Sequence, residues 1–430
     1  WKPEPNMTPK QIEKELERQK VLFEEQCNSG SFMGGNMKFS DFADYWLKEY
    51  AEKELRPKTI TDYKILLKRI NTAIGHIRLD KLQPHHIMKF YNNLRDGNIR
   101  EDVTYKAKID ALPLLKKKKL TQAALAEKSG ISINTVQNYV HGVCVSEQSA
   151  LKIAAALKMP HEKIFIASEN KNKPLAPKTI SNYHRLISAI LEKAVKWQIL
   201  MYNPCRRVEA PKVPRKETNY LDEVQASKLL NCLESEPLQY KAMITTLLYS
   251  GMRRGELCGL EWADIDFDNN LIDINKSSLY LTDRGIFDDT TKTESSKRVI
   301  KVPQYAIDIL KRHSGEQSLQ RLKLGDKWIN SGKVFTQWNG KPIHPDTISG
   351  WFGKFLKRHN LPHISIHSLR HTNATLLIAG GADLRTVSKR LGHADMTTTA
   401  NIYTHAIQSA DERAAQVLDA MLPVNNAKAN

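Results

Sequence analysis

The sequence lacks the features that mark several classes of protein. It contains no run of about 18 apolar residues, the longest apolar stretch lying near Ala242–Tyr249, so no segment is long enough for a transmembrane helix. Its cysteines are odd in number and never spaced CxxC, which argues against a disulfide framework or a zinc ribbon and fits a reduced, cytosolic compartment. They are Cys27, Cys144, Cys205, Cys232 and Cys258. An initiator Met and an apolar signal core are also missing at Trp1-Lys2-Pro3, so we expect the natural chain to begin further upstream.

Motifs for several chemistries are missing as well. The chain has no phosphate-binding loop and no GxSxG elbow, which excludes nucleotide hydrolases and serine hydrolases. The aspartates of Asp264–Asp268 are spaced as in a calcium loop, but Asn269 stands where glycine is required, so we expect a strand turn there. Four histidines in His359–His371 are spaced like metal ligands on a helix, but Pro362 breaks the helix that would align them. We therefore expect no metal site.

What the sequence has in excess is positive charge. Its 430 residues carry 65 Lys+Arg against 47 Asp+Glu, a formal net charge of +18 at neutral pH. The length suggests two or three domains, and 41% hydrophobic residues are enough for ordinary cores, which excludes wholesale disorder. Because positive charge attracts polyanions, nucleic acid is the favoured partner, with a membrane surface or simple solubility as alternatives at this point.

Periodic apolar residues and helix-start signals predict a mainly α-helical N-terminal half. The predicted helices are Ile12–Gln26, Lys38–Lys53, Pro57–Ile74, Pro84–Arg95 and Pro177–Trp197. Two helices start alike, because Arg56–Tyr63 is echoed by Ala176–Tyr183 with Pro in the first turn. Each start also places a Lys where a phosphate could be met, which makes Lys58 and Lys178 candidate DNA contacts. The likeness indicates two helices of one bundle with a segment inserted between them.

In the inserted segment, Tyr105–Ala167, a run of four lysines is followed by a short helix, a turn at Ser129–Gly130 and a second helix with a polar N-terminus. With this pattern the segment resembles the lambda-repressor/Cro-like helix-turn-helix family. The resemblance implies that the lysines and the first helix contact phosphates and that the second helix contacts base edges. These candidate DNA-binding residues are Lys116, Lys117, Lys118, Lys119, Gln122, Ser132, Asn134, Thr135 and Asn138. A helical hairpin that binds protein instead of DNA is the alternative.

Glu209–Lys216 is rich in Pro and Lys, which predicts an extended basic linker and a domain boundary. Beyond it the patterns predict further helices and a small sheet. The helices expected are Leu221–Leu233, Leu238–Ser250, Ala306–Arg312, Pro345–His359, Ser368–Ala379, Leu384–Leu391 and Ala406–Met421. Short strands are expected at Asp264–Ile274 and Arg298–Val302, on either side of a polar loop.

Basic side chains suited to phosphate chemistry are dispersed through this half. Arg253 and Arg370 are planar, permanently charged donors that can clamp a phosphate and stabilise the extra charge of a pentavalent transition state. His367 and His393 can donate hydrogen bonds to the same oxygens or move protons near neutral pH. Taken singly, such residues are more often surface or packing residues, and it is their joint order along the chain that favours a site.

Two further side chains would complete such a site. Tyr403 can be a covalent nucleophile, because two nearby arginines would lower the cost of its phenolate. Lys292, on the loop between the predicted strands, could protonate a leaving alkoxide. Lys276 and Lys297 lie close to it in sequence and are the alternatives for that role.

In this order the residues resemble the tyrosine recombinases, the integrases of phages and conjugative elements. The matching boxes are Gly251-Met252-Arg253-Arg254-Gly255-Glu256-Leu257, His367-Ser368-Leu369-Arg370-His371, Leu391-Gly392-His393 and Tyr403-Thr404-His405. The resemblance implies one catalytic site made of Arg253, Lys292, His367, Arg370, His393 and the nucleophile Tyr403. It also implies a site-specific recombinase that integrates or excises a mobile element through a 3′-phosphotyrosine intermediate. Since that bond conserves energy, neither metal, ATP nor any other cofactor is expected.

The resemblance implies a mainly α fold, with a helical core-binding domain and an α+β catalytic domain that contains a small antiparallel sheet. The expected division is 1–36 for a coupling helix and linker, 37–208 for the SAM-like core-binding domain, 105–167 for the insert within it, 209–217 for the linker and 218–430 for the catalytic domain. A small arm-binding domain ahead of the coupling helix is expected to be missing from this chain.

The expected partners follow from the same resemblance. They are attachment-site DNA, further copies of the chain in a DNA-bound tetramer, an excisionase-type directionality factor and a host DNA-bending protein, in the bacterial cytoplasm at the nucleoid and without a membrane. The tetramer would form through an exchanged C-terminal helix whose apolar face is Ile407, Ala410, Ala414, Leu418 and Met421. Packing of that helix on its own domain is the alternative.

Two other functions remain open from the sequence alone. A topoisomerase of type IB would share the Arg, His and Tyr chemistry but would relax supercoils without a partner site. A transcriptional regulator built around the helix-turn-helix insert would not cleave DNA at all.

Overall fold

The computed structural model describes residues 7–28, 37–96, 103–168, 174–214, 219–290, 297–392 and Met421. The chain divides into two compact units, Trp1–Arg215 and Lys216–Asn430. Within the described ranges, no helix is both long and apolar enough to cross a lipid bilayer.

Helices dominate the first unit, and the predicted ones are confirmed. They are α1 (Pro9–Asn28), α2 (Phe39–Trp46) with a π-helical turn Leu47–Ala51, α3 (Glu52–Glu54), α4 (Pro57–Ile74), α5 (Pro84–Arg95) and α11 (Pro177–Lys196). Proline occupies the first turn of α4, α5 and α11, where its missing N–H costs no hydrogen bond.

The helices from α2 to α5 pack with α11 around one apolar core. Phe39, Phe42 and Trp46 of α2 are almost fully buried in this core. Arg69 of α4 donates a hydrogen bond to the hydroxyl of Tyr183 on α11 over 2.9 Å, which ties together the two helices that start alike. The two helices therefore do belong to one bundle, although more than a hundred residues separate them.

The segment between α5 and α11 has a core of its own. Its helices are α6 (Ala111–Lys117), α7 (Gln122–Ser129), α8 (Ile133–Val140), α9 (Glu147–Ala156) and α10 (His161–Ile164). Leu125, Val136 and Ile153 are fully buried and form the centre of this core. Ser132 caps α8 by accepting a hydrogen bond from the backbone N–H of Thr135, which stabilises the start of this helix.

A small sheet in this segment was not predicted. Its strands are β1 (Thr104–Ala107), β2 (Val145–Ser146) and β3 (Phe165–Ala167), with β1 antiparallel to both neighbours. These strands are too short to show a pattern of alternation in the sequence. Because β1 begins and β3 ends the segment, the sheet joins its first residues to its last.

The two ends of the inserted segment lie side by side. Ser168 donates its backbone N–H to the carbonyl of Thr104 over 2.8 Å. On the bundle, Leu175 donates its N–H to the carbonyl of Leu94 over 3.1 Å, so the chain leaves and re-enters the bundle at one point. The bundle is therefore continuous across the insertion, which is attached to it like a side domain.

The second unit is also mainly helical. Its helices are α12 (Glu223–Cys232), α13 (Leu238–Ser250), α14 (Arg254–Gly259), α15 (Gln304–Leu324), α16 (Pro345–Arg358), α17 (Ile366–Ala379) and α18 (Leu384–Leu391). Its strands are β4 (Ile265–Asp266), β5 (Leu271–Ile274), β6 (Lys276–Leu281), β7 (Gly285–Thr290) and β8 (Arg298–Lys301). Helix α13 lies in the apolar core of this unit, where Ala242, Met243 and Ile244 are completely buried.

Two expectations for this unit were wrong in extent. The region expected to be a polar loop contains the antiparallel hairpin of β6 and β7, so the described residues of the unit form two small sheets, ordered β4-β5-β8 and β6-β7. Helix α15 continues to Leu324, twelve residues beyond its expected end at Arg312. The later turns are stabilised by His313 and Gln317, whose side chains bond to the Val334 carbonyl, a contact that the local sequence pattern does not show.

Candidate active site

A tight turn after α13 brings the predicted phosphate-binding arginines together. Gly251 follows α13 with φ +66°, a left-handed conformation that favours glycine. A Cβ at this position would lie 2.7 Å from Asn373 Oδ1 on α17 and 2.7 Å from Leu391 Cδ2 on α18. The turn therefore packs directly against the helices that carry the downstream boxes.

Arg253 lies at the start of α14 and is held in place by the helix itself. Its backbone N–H donates to Glu256 Oε2 over 2.9 Å and its Nη1 donates to Glu256 Oε1 over 2.8 Å. Its Nη2 donates to the carbonyl of Gly392 over 3.3 Å. The side chain remains 39% exposed, so its guanidinium can still meet a ligand from solvent.

Glu256 is the anchor of this arrangement, although no role was predicted for it. It is buried and also accepts a hydrogen bond from Arg298 Nη2 over 2.9 Å, while Arg298 Nε donates to the carbonyl of Arg390. Burial by itself raises the pKa of Glu256, but the hydrogen bonds and charges of Arg298 and Arg253 outweigh it and hold that pKa below its ordinary value. The signal for its role was its fixed place three residues after Arg253, where a capping box forms.

Arg370 is positioned from the other side of the same turn. It lies on α17, is only 2% exposed, and donates from Nη1 to the carbonyl of Gly251 over 2.8 Å. Arg253 and Arg370 are 117 positions apart in sequence, yet Arg370 bonds to the carbonyl of Gly251, two residues before Arg253. The structure brings together the two side chains from which we predicted a phosphate clamp.

Two histidines of α17 lie beside this pair. The rings of His367 and His371 meet edge to face with centroids 4.9 Å apart. The ring of His367 is exposed at the surface, but the protein atoms packed around it lower its pKa, and the charges of Arg370 and Arg253 add to the effect. Burial, with the charges of His367 and Arg370, lowers the pKa of His371 to about 4. Both imidazoles are therefore neutral at pH 7, a state in which His367 can accept a proton.

We expect the depressed pKa of His371 to make the chain acid-sensitive. The folded state resists protonation that the unfolded state accepts below pH 6.5, so stability is full above that pH and falls as the pH approaches 4. The loss attributable to this group at pH 4.5 is about 2–3 kcal/mol. Denaturant unfolding of His371→Gln, compared with the wild type at pH 7.5 and 4.5, measures it. The exposed His363→Gln is the control, and equal acid sensitivity in all three proteins contradicts the prediction.

The remaining predicted site residues lie outside the described part of the chain. These are Lys292, His393 and Tyr403. Of the alternatives to Lys292, Lys276 forms ion pairs with two carboxylates, because its Nζ lies 2.6 Å from Glu261 and 3.3 Å from Asp264. Lys297 is exposed at the start of the described segment before β8.

The sequence patterns that imitated metal sites have structural explanations. Asp266 Oδ1 accepts hydrogen bonds from the N–H groups of Asp268 and Asn269, which makes the strand turn expected there. His359 Nε2 lies 3.0 Å from Glu236 Oε1. Across the ranges that the structure describes, no group of three or more His, Cys, Asp or Glu side chains is placed to hold a metal ion.

The candidate DNA-binding residues of the first unit differ in their availability. Lys178, Lys116, Lys117, Lys119, Asn134 and Asn138 are exposed. Gln122 and Thr135 are partly buried, and the hydroxyls of Ser132 and Thr135 bond each other over 2.8 Å at the cap of α8. Lys58 pairs with Asp62 over 2.9 Å, and Lys118 donates to the carbonyl of Leu157. Gln137, which was not predicted, is exposed one residue before Asn138.

Comparison with protein families finds three matching descriptions along the chain. The phage integrase family matches residues 219–409, which include the Gly251 turn and all four boxes. The N-terminal SAM-like domain of phage integrases matches residues 38–95, and a helix-turn-helix family matches residues 114–164.

Individual relatives agree with these matches. A XerC-like tyrosine recombinase of Caldanaerobacter subterraneus subsp. tengcongensis is 29% identical over 66% of this chain and 75% of its own length. The ICEBs1 integrase of Bacillus subtilis is 29% identical over 58% of this chain and 67% of its own. The fold is similar to that of the Tn1549 transposon integrase, solved in complex with transposon right end DNA, with a TM-score of 0.60 and 19% identity over 89% of this chain and all of that one.

Proposed function

Because this chain belongs to the phage integrase family of tyrosine recombinases, we propose that it cleaves and rejoins DNA strands through a 3′-phosphotyrosine intermediate on Tyr403. One observation supports the proposal: Arg370 donates to the carbonyl of Gly251, two residues before Arg253, which favours the binding of one phosphate by both guanidiniums. Their guanidiniums would bind its non-bridging oxygens and stabilise the charge that develops when a fifth ligand joins phosphorus.

In the proposed cleavage step, Tyr403 Oη attacks phosphorus and the bond to the 5′-oxygen breaks. His367, which is neutral at pH 7, accepts the phenol proton, and His393 donates a hydrogen bond to a non-bridging oxygen. Lys292 protonates the departing 5′-oxygen. A 5′-hydroxyl of the partner duplex then attacks the phosphotyrosine, which releases Tyr403 and restores a phosphodiester without ATP or metal.

The wider setting follows from this activity. We infer that the DNA substrate is a pair of attachment sites and that four copies of the chain act on it, linked by the C-terminal helix around Ile407–Met421. The two units, joined at residues 209–217, would each contact the duplex, one as the core-binding domain and the other as the catalytic domain. A directionality factor and a host DNA-bending protein would set the direction, in the bacterial cytoplasm at the nucleoid.

A nicked suicide substrate tests the proposal against its alternatives. We expect the full chain to form an SDS-resistant adduct on an attachment site and to join the trapped strand to a second duplex. Relaxation of a supercoiled plasmid that has no attachment site would instead identify a topoisomerase of type IB. A transcriptional regulator would bind the site without any adduct.

We further infer that the insert of residues 105–167 is a second DNA-binding module. It contains ten lysines against four acidic residues, and Asn134, Gln137 and Asn138 are exposed along α8. Amide side chains on such a helix can contact adenine edges in the major groove, and the lysines can contact phosphates. The hydroxyls of Ser132 and Thr135 hydrogen-bond to each other. We therefore assign these two residues to capping the helix and not to contacting bases.

The insert should contribute separable terms to DNA binding. Replacing the exposed lysines Lys116, Lys117 and Lys119 by Gln is expected to reduce the slope of log K against log salt by about 2–3, because each lost phosphate contact removes about 0.9. Asn134→Ala with Asn138→Ala should leave that slope unchanged and reduce discrimination between sites by about 1–3 kcal/mol. Anisotropy titrations at several salt concentrations measure both. Lys118→Gln is the matched control, since its ammonium is bound to the Leu157 carbonyl, and a protein-binding insert would show no change in any variant.

A further inference from the structure

The hairpin of β6 and β7 leads directly to Lys292. The register pairs Lys276 at the start of β6 with Thr290 at the end of β7. Lys292 follows Thr290 by two residues, so whatever fixes the base of this hairpin also fixes the point from which the chain continues to Lys292.

A buried lysine from a distant part of the chain holds this base. Lys333 is only 4% exposed, and its Nζ has three acceptors: Gly259 O and Glu261 Oε1, both at 2.9 Å, and Asp288 Oδ2 at 2.5 Å. Asp288 lies on β7, two residues before Thr290. A buried ammonium requires such acceptors, because losing one leaves its charge uncompensated.

The carboxylate of Glu261 also contacts the other strand of the hairpin, β6. Glu261 Oε2 lies 2.6 Å from Lys276 Nζ on β6, and Asp264 Oδ2 lies 3.3 Å from that nitrogen. Lys333, Glu261, Asp264, Lys276 and Asp288 thus form one chain of alternating charges, which we call the hairpin anchor.

The hairpin is also packed closely against α14. A Cβ on Gly255 would lie 2.4 Å from Ser277 Oγ, and one on Gly259 would lie 3.0 Å from the backbone nitrogen of Ser278. Because α14 begins just after Arg253 and contains Glu256, the helix that holds the arginine clamp is in direct contact with the hairpin that leads to Lys292. The hairpin anchor fixes the hairpin at the other end of this short helix.

We propose that Lys333 and Asp288 are positioning residues, which hold the hairpin in register with α14 so that Lys292 reaches the leaving 5′-oxygen. This proposal rests on the role of Lys292 as the general acid in the proposed function. Neither residue meets the DNA in this scheme, and each acts through the placement of β7. A misplacement of about 1 Å at a reacting group costs on the order of 100-fold in rate, so the effect should be measurable.

The test compares two substrates within each variant. One is a suicide attachment site with an ordinary scissile phosphodiester, and the other has sulfur in place of the bridging 5′-oxygen. A thiol has a pKa of about 8.5, against about 15.7 for water, so a thiolate leaves without being protonated. A variant that has lost only the delivery of the proton should therefore be rescued by the sulfur substrate.

We expect Lys292→Ala and Asp288→Ala to cleave the phosphodiester about 100-fold more slowly and to be restored to within about threefold of the wild type on the sulfur substrate. Asp288→Asn keeps an oxygen acceptor for Lys333 and should have a smaller defect, also rescued. Asp283→Ala is the matched control, because Asp283 is an exposed carboxylate at the turn of the same hairpin, and it should resemble the wild type on both substrates.

Two results overturn the proposal, and they are distinguishable. If Lys292→Ala is rescued but Asp288→Ala is equally slow on both substrates, the anchor only stabilises the fold and does not position the lysine. If Lys292→Ala is itself not rescued, Lys292 is not the general acid, and the positioning role falls with that part of the proposed function. Should Asp288→Ala fail to fold, Asp288→Asn and Lys333→Arg give the same within-variant comparison.

Discussion

Tyr403→Phe is expected to abolish the SDS-resistant adduct while leaving the affinity for attachment-site DNA within about twofold of the wild type. The substitution removes one oxygen, the proposed nucleophile, and leaves the aromatic ring. The clamp residues Arg253 and Arg370 are anchored by Glu256 and by the Gly251 carbonyl, independently of Tyr403, so the phosphate should still bind. The expected loss of cleavage is more than about 10⁴-fold, since without a nucleophile the covalent route is closed.

The measurement is a denaturing gel of the suicide-substrate reaction, with DNA binding followed in parallel by anisotropy. Tyr220→Phe is the matched control, because Tyr220 is an exposed tyrosine of the same unit and should form the adduct at the wild-type rate. Persistence of the adduct in Tyr403→Phe would show that another side chain is the nucleophile. Loss of binding together with the adduct would show instead that the ring is needed for the complex.

The second large effect is expected at Glu256. It is the common partner of Arg253 and Arg298, and Arg298 is itself buried. Glu256→Ala leaves a buried arginine without its carboxylate, which typically costs about 3–5 kcal/mol of the free energy of unfolding. Glu256→Gln preserves the shape and one acceptor, so the loss of stability should be smaller.

Cleavage should fall in both Glu256 variants, because Arg253 loses the contacts that orient it at the start of α14. Denaturant unfolding and suicide-substrate cleavage of the same samples separate the two effects. In Glu256→Gln we expect cleavage to fall by more than tenfold while the protein stays folded at 25 °C. Glu316→Ala, an exposed carboxylate on α15, should change stability by less than about 0.5 kcal/mol and leave cleavage unchanged. If folded Glu256→Gln cleaves at the wild-type rate, Glu256 does not orient Arg253 for cleavage.

Local signals explain which elements could be predicted. Pro57–Ile74 and Pro84–Arg95 were predicted residue for residue, since proline marks each start and the apolar period defines each length. The hairpin was missed because its sequence is rich in Ser, Asp and Thr, and the residues that stabilise it are distant in sequence: Lys333, Gly255 and Gly259. Such contacts leave no trace in the local pattern.

The residues of the candidate site also include some that could be predicted from the sequence and some that could not. Arg253 and Arg370 could be proposed from their chemistry and from the order of the boxes, and the structure shows Arg370 of α17 bonded to the Gly251 carbonyl, two residues before Arg253. The buried residues that support them could not, because a Glu or Arg with a structural partner looks like any surface charge until the partner is known. Glu256 and Arg298 are 42 residues apart, and only the fold shows that they meet.

The paired ends of the insert have a consequence for how such enzymes diversify. Leu94 and Leu175 are bonded neighbours, so the bundle presents a closed junction at which a whole module can be gained, lost or exchanged without disturbing the helices on either side. A new target preference could then be acquired by grafting, in one genetic event, while the cutting chemistry in the other half of the chain stays untouched. In protein engineering, other recognition domains whose termini lie side by side could be inserted at this junction.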